Sequence, residues 1–445
     1  MSTVKPRIAS GFPEYLPQEQ IEFQRLVGII TSVYERYGFA PIDTPDLELR
    51  DVLLAKGGGE TEQQVYEFTR GKNDFVMRFD LTVPLARYAA QHEGELVFPF
   101  RRYHIGKVHR AERAQAGRFR EFYQCDIDII GTKSPTSDAE IPAIIHEVFT
   151  RLDFGAFTIR VNNRKVLNGF FASLGLAERK AEILRLVDKS EKISAEALAS
   201  GLSELGVDSG QQEKLQAFLR ITGAADEVLE RLAALGITDE EFTQGLEELR
   251  ELVRGIRAFG VPESGFAIDL KIARGLDYYT GTVYETVLDA HPELGSICSG
   301  GRYDNLAEHY TGTHLPGVGI SIGLSRLFYK LRELGIIEPA AKTPAAAIVL
   351  PMDERATAYA IEVSAALRAG GLNTLLYTEG GALKKKLRYA NQLGVRYAIV
   401  LGETETTERT LSIKDMQSGE SQTVPFDKIP AFIENSVLTG VLGAC

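Results

Sequence analysis

The segment "VHRAERAQAGRFREFYQCDIDIIG", residues 108–131, constrains the fold more than any other part of this chain. It predicts two antiparallel strands joined by a polar loop around "RAQAG". The stretch "DIDII" near its end alternates polar and apolar residues, as a half-buried strand does. We therefore expect an antiparallel sheet here, with one polar face.

Charge is distributed unevenly around this hairpin. The whole chain carries a net charge of −11, which argues against indiscriminate binding of nucleic acid. The stretch from Arg101 to Arg120 nevertheless holds seven basic residues and one acidic residue, Glu112, so that it could meet phosphates. Three polar residues of the second strand share one face: Gln124, Asp126 and Asp128. Such a face suits a cation or an N–H donor, and an exposed sheet face with solvated arginines is the alternative.

Changes in residue composition and in strand and helix patterns along the 445 residues predict four parts, 1–176, 177–259, 260–338 and 339–445. Leu, Ala, Glu and Lys dominate the second part, which predicts a helical insertion. Strands resume in the third part. In the last part, strand and helix patterns alternate, which predicts a small α/β domain with a largely parallel sheet.

The composition excludes some classes of protein. The three cysteines form no C-x-x-C pair, so a disulfide framework or a cysteine-rich zinc site is not expected. No secretory signal and no run of about 18 apolar residues is present, so we expect a cytoplasmic protein without a membrane partner.

Two further segments hold candidate ligand-binding residues. In "RFDLT", Asp80 lies where a strand ends and a helix begins, so it either caps that helix or faces a ligand ammonium. In "RGLDYYTG", Arg274 offers a planar fork for phosphate or carboxylate, next to Tyr278 and Tyr279. An ion pair of Arg274 with Asp277 at a tyrosine-rich strand end is the alternative.

The stretch "GVGISIG" is not a dinucleotide-binding motif. Its glycines, at 317, 319 and 323, have the wrong spacing. Glycines in a strand favour close approach of a ligand or of another backbone. Arg326 follows in the first turn of a helix, where a basic residue opposes the helix dipole and so suggests a bound anion, or is simply a surface arginine.

Taken together, these motifs resemble the class II aminoacyl-tRNA synthetases, and within them the histidyl-tRNA synthetase family. "YGFAPIDTPDLE" is similar to motif 1, residues 108–131 to motif 2 and "GVGISIGLSRL" to motif 3. "ARGLDYYTGTVYE" and "SGGRYDNL" resemble the two histidine signatures. The similarity covers nearly the whole chain.

The resemblance implies an α+β fold with a mixed, mainly antiparallel sheet flanked by helices. Residues 1–176 and 260–338 would form the catalytic core around the helical insertion 177–259, and 339–445 a C-terminal α/β anticodon-binding domain. The implied enzyme is an ATP-dependent histidine–tRNA ligase that forms histidyl-adenylate and transfers the histidyl group to the 3′ end of tRNA(His). It would be a homodimer, with L-histidine, ATP and tRNA(His) as partners and Mg²⁺ accompanying ATP.

The resemblance also implies roles for individual residues. ATP would be bound by four residues: Arg110 at the α-phosphate, Glu112 near the adenine amino group, Phe122 stacked on adenine and Arg326 at the γ-phosphate. Histidine would be bound by seven residues: Asp80, Thr82, Gln124, Asp128, Arg274, Tyr278 and Tyr279. Arg274 and Arg110 would be catalytic, and Arg113 and Gln115 would meet the tRNA acceptor end. No metal-ligating residues are indicated.

A non-aminoacylating paralogue is the main alternative. The regulatory subunit of ATP phosphoribosyltransferase shares the synthetase core and binds histidine as a signal. Such subunits generally lack the C-terminal domain and have degraded histidine signatures, whereas this chain has a C-terminal domain and intact signatures. The ligase is therefore the favoured interpretation.

Overall fold

The computed structural model describes residues 3–55, 64–113, 117–187, 194–272, 279–305, 307–337 and 341–438. The chain divides into two compact units. One comprises Met1–Pro13 and Leu26–Ile337, and the other comprises Glu14–Arg25 and Glu338–Cys445. Within the described ranges, no helix is both long and apolar enough to cross a bilayer.

An eight-stranded sheet organises the first unit. Its strands are β1 (Ala40–Pro41), β5 (Phe100–His109), β6 (Glu121–Ile130), β7 (Phe157–Asn163), β8 (Phe266–Ile268), β9 (Thr282–Leu288), β10 (Cys298–Tyr303) and β11 (Gly317–Ile322). Their order across the sheet is β1-β5-β6-β11-β10-β9-β7-β8. Among the described ladders of this sheet, only the pairs β1 with β5 and β7 with β8 are parallel. The mixed, mainly antiparallel sheet is therefore as predicted.

A separate three-stranded sheet has the order β2-β4-β3. It is built from β2 (Leu47–Leu49), β3 (Glu67–Arg70) and β4 (Asn73–Met77). Because Leu49 and Phe68 both pair with Phe75, these three apolar side chains lie on one face.

Helices flank the large sheet and fill the insertion. Those up to Ile337 are α1 (Pro17–Arg36), α2 (Arg50–Leu53), α3 (Thr82–Gln91), α4 (Pro135–Leu152), α5 (Arg164–Ser173), α6 (Lys180–Val187), α7 (Ala195–Glu204), α8 (Ser209–Leu219), α9 (Ala225–Ala234), α10 (Glu240–Ala258) and α11 (Leu324–Glu333). The helix α10 starts where the Asp239 side chain accepts the N–H of Phe242. It lies close against α5 because Gly245 leaves no side chain to collide with the backbone of Val166.

The C-terminal unit alternates strands and helices, as predicted. Its strands are β12 (Ala347–Pro351), β13 (Thr374–Leu376), β14 (Tyr397–Leu401), β15 (Thr410–Asp415) and β16 (Ser421–Pro425). Its helices are α12 (Thr357–Ala369), α13 (Leu383–Leu393), α14 (Glu403–Glu408) and α15 (Ile429–Leu438). Alternate residues of β12 enter two different apolar clusters, so both faces of this strand are buried.

The expectation of a largely parallel sheet in this unit was too simple. The strands β13, β12 and β14 are parallel, but β15 and β16 add two antiparallel pairs at one edge. This difference arises because β14 continues through the short helix α14 into a strand that runs back beside it. The predicted domain limits at 176, 259 and 338 stay predictions.

Candidate active site

The predicted polar face lies in the middle of the large sheet. Gln124, Asp126 and Asp128 all lie on β6, and each is buried. Because directly paired residues share a face, Arg102 of β5 lies beside Asp128, and Ser321 of β11 lies beside Asp126. The alternative of an exposed face is therefore wrong for these three side chains.

The Asp128 carboxylate is held between two side chains from neighbouring strands. Its Oδ2 lies 2.5 Å from Nη2 of Arg102, which is fully buried. Its Oδ1 accepts a hydrogen bond of 2.7 Å from the hydroxyl of Tyr303 at the end of β10. Gly319 is the residue that pairs with Asp128 on β11, and a Cβ there would collide with the carboxylate. Two partners and one missing side chain therefore fix the position of Asp128.

Burial makes this face electrostatically unusual. Loss of water raises the pKa of Asp126 to about 7, although the Arg102 guanidinium opposes the rise and the Asp128 carboxylate adds to it. Burial likewise raises the pKa of Asp128 to about 6, against the effects of Arg102 and the Tyr303 hydroxyl. One arginine thus serves two neighbouring carboxyl groups, a pattern common at functional sites.

Two acceptor atoms on this face have no hydrogen-bond partner. Gln124 donates through Nε2 to Ser321 Oγ at 2.7 Å, which leaves its Oε1 without a donor. Asp126 Oδ1 is also buried without a donor. Buried acceptors normally have partners, so this pair indicates a place for a ligand or a water molecule.

Asp80 lies at the edge of the same face. Its Oδ1 accepts the N–H of Val83 at 3.0 Å, in the first turn of α3, so the predicted capping contact is present. Burial raises its pKa, while this hydrogen bond, the Arg110 guanidinium and Arg102 oppose the rise. Asp80 therefore connects the carboxyl groups of β6 electrostatically with the arginine at the end of β5. Thr82 begins α3 and is partly buried.

Arg110 lies between aromatic rings. Its guanidinium carbon is 4.3 Å from the centre of the Phe79 ring and 5.1 Å from that of Phe122, and its Nε donates to the Phe79 carbonyl at 3.3 Å. Stacking against rings restricts a guanidinium to a plane while its outer N–H groups can still reach a phosphate.

A second basic group lies where α11 begins. Arg326 donates from Nη2 to the Leu294 carbonyl at 2.7 Å, and burial together with the nearby Arg118 guanidinium lowers its pKa. Arg118 itself forms an ion pair with Glu112. The backbone N–H of Tyr123 donates to Ser325 Oγ at 2.9 Å, which ties the start of α11 to β6. The two arginines thus form a positive region beside the hairpin.

Of the remaining predicted residues, the structure describes Tyr279 and Arg113. Tyr279 is partly buried and packs over Gly301 of β10, where a Cβ would come within 2.9 Å of its ring. Arg113 is exposed at the hairpin loop. Three predicted residues, Arg274, Tyr278 and Gln115, lie outside the described residues.

Arg102 and Tyr303, which both contact Asp128, had no role predicted from the sequence. Tyr303 stands within the signature "SGGRYDNL", so its motif was noticed but its partner was not. Arg102 belongs to the basic stretch before the hairpin, and only the pairing register shows that it faces Asp128. Alternation along "RRYHIG" would have placed Arg102 and His104 on one face, although not against a named partner.

Comparison with known proteins then identifies the family. The family model described as "Histidyl-tRNA synthetase" matches residues 11–327, and the one described as "Anticodon binding domain" matches residues 346–436. The chain belongs to the histidyl-tRNA synthetase family. One member, the Histidine--tRNA ligase of Clostridium tetani, is 51% identical over 436 residues, which cover 97% of this chain and 99% of that protein.

Solved structures of the histidyl-tRNA synthetase family agree. The crystal structure of histidyl-tRNA synthetase from Nostoc sp. PCC 7120 is similar with a TM-score of 0.91 and 41% identity, covering 97% of this chain and all of that one. An ATP phosphoribosyltransferase regulatory subunit/histidyl-tRNA synthetase from Bacillus halodurans C shares the fold, with a TM-score of 0.75 at 21% identity over 90% of this chain and 99% of that one. The predicted family, the α+β fold class and the prediction of an aminoacyl-tRNA ligase are confirmed.

Proposed function

We propose that the chain activates L-histidine with ATP to histidyl-adenylate and transfers the histidyl group to the 3′ end of tRNA(His). Asp128 carries this proposal. It is a buried carboxylate whose two oxygens are fixed by Arg102 and Tyr303, at the centre of a face that also holds Gln124 and Asp80. One part of such a face can bind the imidazole of a histidine while another part binds its ammonium.

Histidine would lie across this face. Asp80, Thr82 and Gln124 would bind its ammonium, and Asp128 and Tyr279 its imidazole. Gln124 Oε1 is a buried acceptor without a protein donor, which suits an incoming N–H group. A pocket built on such polar contacts rejects analogues that lack them by roughly 10⁴–10⁵. Tyr278 and Arg274 are proposed as further histidine-binding residues by family resemblance.

ATP would lie along the hairpin. We assign the α-phosphate to Arg110, the adenine ring to Phe122 and the adenine amino group to Glu112. Arg326 would bind the γ-phosphate, supported by the positive region that it forms with Arg118. Arg274 would add fixed positive charge at the α-phosphate, where negative charge develops as the histidine carboxylate attacks.

Mg²⁺ is proposed as the companion of ATP. Within the described ranges, no group of three His, Cys, Asp or Glu side chains could hold a metal ion. Magnesium bound to nucleotide phosphates needs only one or two protein carboxylates. The ion would draw electron density from the phosphates that the arginines bind.

The tRNA would contact both compact units. Arg113 and Gln115 of the hairpin loop are proposed to meet the acceptor end. In the C-terminal unit, α13 exposes Lys384, Lys385 and Arg388, whereas Lys386 is buried and donates to the Pro351 carbonyl at 2.6 Å. The three exposed cations are therefore available for phosphates of the anticodon arm.

The homodimer is part of the same proposal. The segment similar to motif 1 ends on β2, where the apolar face of the three-stranded sheet exposes 43% of Leu47, 42% of Leu49 and 45% of Phe68. A contiguous apolar face of this kind is typical of a protein interface. Sedimentation of the purified chain measures the oligomer directly.

Histidine-dependent exchange of labelled pyrophosphate into ATP tests the function, with the other amino acids as controls. We expect exchange with histidine alone. Histidine binding without exchange would instead identify a regulatory paralogue. A cytoplasmic location is proposed with the ligase, because its substrates meet there.

A further inference from the structure

Among the described residues, Asp126 is the one buried carboxyl group of this face to which no role has been assigned above. It stands on β6 between Gln124 and Asp128, on the same side of the sheet. It is 1% exposed, and its Oδ1 has no hydrogen-bond partner. A buried carboxylate oxygen without a donor is costly, so a native structure needs a reason to keep one.

The surroundings of Asp126 indicate which kind of donor is missing. Gln124 Oε1, two residues away on the same face, is also a buried acceptor without a donor. Residues i and i+2 of a strand lie roughly 7 Å apart, so their side chains can converge on one group between them. An ammonium has three N–H donors spread around one centre, whereas a neutral imidazole has a single N–H. Two adjacent free acceptors therefore fit an ammonium better than a ring nitrogen.

The charge of the face supports the same choice. In the part of the chain that the structure describes, Asp126 and Asp128 have one buried cation between them, Arg102, which pairs directly with Asp128. Arg102 Nε and Nη1 have no hydrogen-bond partners, and its Nη2 lies against Asp128 Oδ2 and the Leu81 carbonyl, so the guanidinium does not bond to Asp126. Among the described residues, one buried cation therefore faces two buried carboxyl groups. A cationic ligand group would bring a second positive charge to this face.

We propose that Asp126 is a further histidine-binding residue, whose Oδ1 accepts an N–H from the ammonium of the bound amino acid. This inference rests on the proposed function, because it takes histidine as the ligand. Arg102 then acts as a positioning residue, because it holds Asp128 in place for the imidazole. Asp126, which Arg102 does not bind, would accept from the ammonium. The face would distinguish an amino acid from its deaminated analogue through Asp80, Gln124 and Asp126 together.

The test compares the parent chain with Asp126→Asn in histidine-dependent pyrophosphate exchange. Loss of one charge-assisted hydrogen bond is expected to raise the KM for histidine by roughly tenfold to a hundredfold. The KM for ATP is expected to stay within about twofold. Imidazolepropionate, which lacks the ammonium, is then measured as a competitive inhibitor of both proteins, and its inhibition constant is expected to change by less than about twofold. Asp74→Asn, at an exposed acid of β4, is the matched control.

The possible results separate the two proposals. Absence of exchange by the parent chain would refute the ligase activity and, with it, the role of Asp126 in binding histidine for that reaction. Exchange by the parent chain with an unchanged histidine KM in Asp126→Asn would refute the role of Asp126 alone. Equal weakening of histidine and imidazolepropionate would also overturn it, because Asp126 would then act on the ring or on the shape of the pocket.

Discussion

The substitution Asp126→Asn is expected to affect the stability of the folded chain more favourably at pH 8 than at pH 5. Burial raises the pKa of Asp126 from 3.8 to about 7, with Arg102 opposing and Asp128 adding to the rise. The folded chain therefore keeps a proton that the unfolded chain has already released. The stability due to this proton is fully present below pH 3.8 and is lost as the pH rises through about 7, whereas asparagine has no such dependence.

The size of the effect follows from the pKa. Between pH 5 and pH 7 the parent chain loses about 1.4 kcal/mol of unfolding free energy per pH unit through this group, or about 3 kcal/mol in all. The asparagine amide must also find acceptors on the face, at a cost of roughly 1–3 kcal/mol. That cost is independent of pH, so it cancels when one variant is compared at two pH values.

Thermal unfolding at pH 5 and pH 8 measures the effect. Because unfolding entropy grows with chain length, about 3 kcal/mol in the unit formed by Met1–Pro13 and Leu26–Ile337 corresponds to roughly 4–5 °C in the variant's melting temperature relative to the parent, between the two pH values. Asp74→Asn, at an exposed position, should show no such difference. If the difference between Asp126→Asn and the parent were the same at pH 5 and pH 8, Asp126 would not be a buried carboxyl group with a raised pKa.

Three further predictions concern other parts of the machinery. Gly319→Ala should displace the Asp128 carboxylate, raising the histidine KM in the exchange assay and lowering stability by about 1–3 kcal/mol; an unchanged KM would show that the sheet adapts. Arg274→His should reduce adenylate formation by roughly 10²–10³ while calorimetry still detects histidine binding, and equal loss of both would contradict its role. The double variant Lys384→Glu, Lys385→Glu should weaken charging of tRNA by about tenfold at low salt, and by less at higher salt, and leave exchange unchanged, whereas loss of exchange would indicate misfolding.

Part of the candidate site could be predicted from alternation alone. The pattern of β6 placed Gln124, Asp126 and Asp128 on one face, and the structure agrees. Alternation gives the face of a residue but not its partners, so it could not show that Asp128 has two donors while one oxygen of Asp126 has none. The family resemblance supplied a role for Asp128 and none for Asp126.

Other features depend on register, which one strand cannot specify by itself. Arg102 meets Asp128 because β5 and β6 pair in one particular register, and a shift by one residue would turn Arg102 to the opposite face. Arg302 of "SGGRYD" shows the same limit, because it faces the other side of the sheet and donates to Asp138 of α4 at 2.9 Å. The antiparallel strands β15 and β16 were missed, although Leu411 and Ile413 of β15 alternate with polar residues and are buried, which is the pattern of a half-buried strand.

The glycines of the large sheet can be explained by the volume of their neighbours. Gly319 lies opposite the Asp128 carboxylate, and a Cβ at Gly317 would come within 2.6 Å of the Tyr303 ring. Gly106 leaves room in the same way for His104, whose Nε2 a Cβ there would approach to 2.9 Å. A charged or aromatic side chain inside a sheet occupies space that a neighbouring strand must leave empty. The spacing G-x-G in "GVGISIG" therefore reflects the shape of a polar pocket instead of a phosphate-binding turn. For that reason, a methyl group added at Gly319 should disturb histidine binding as directly as a change in Asp128 itself.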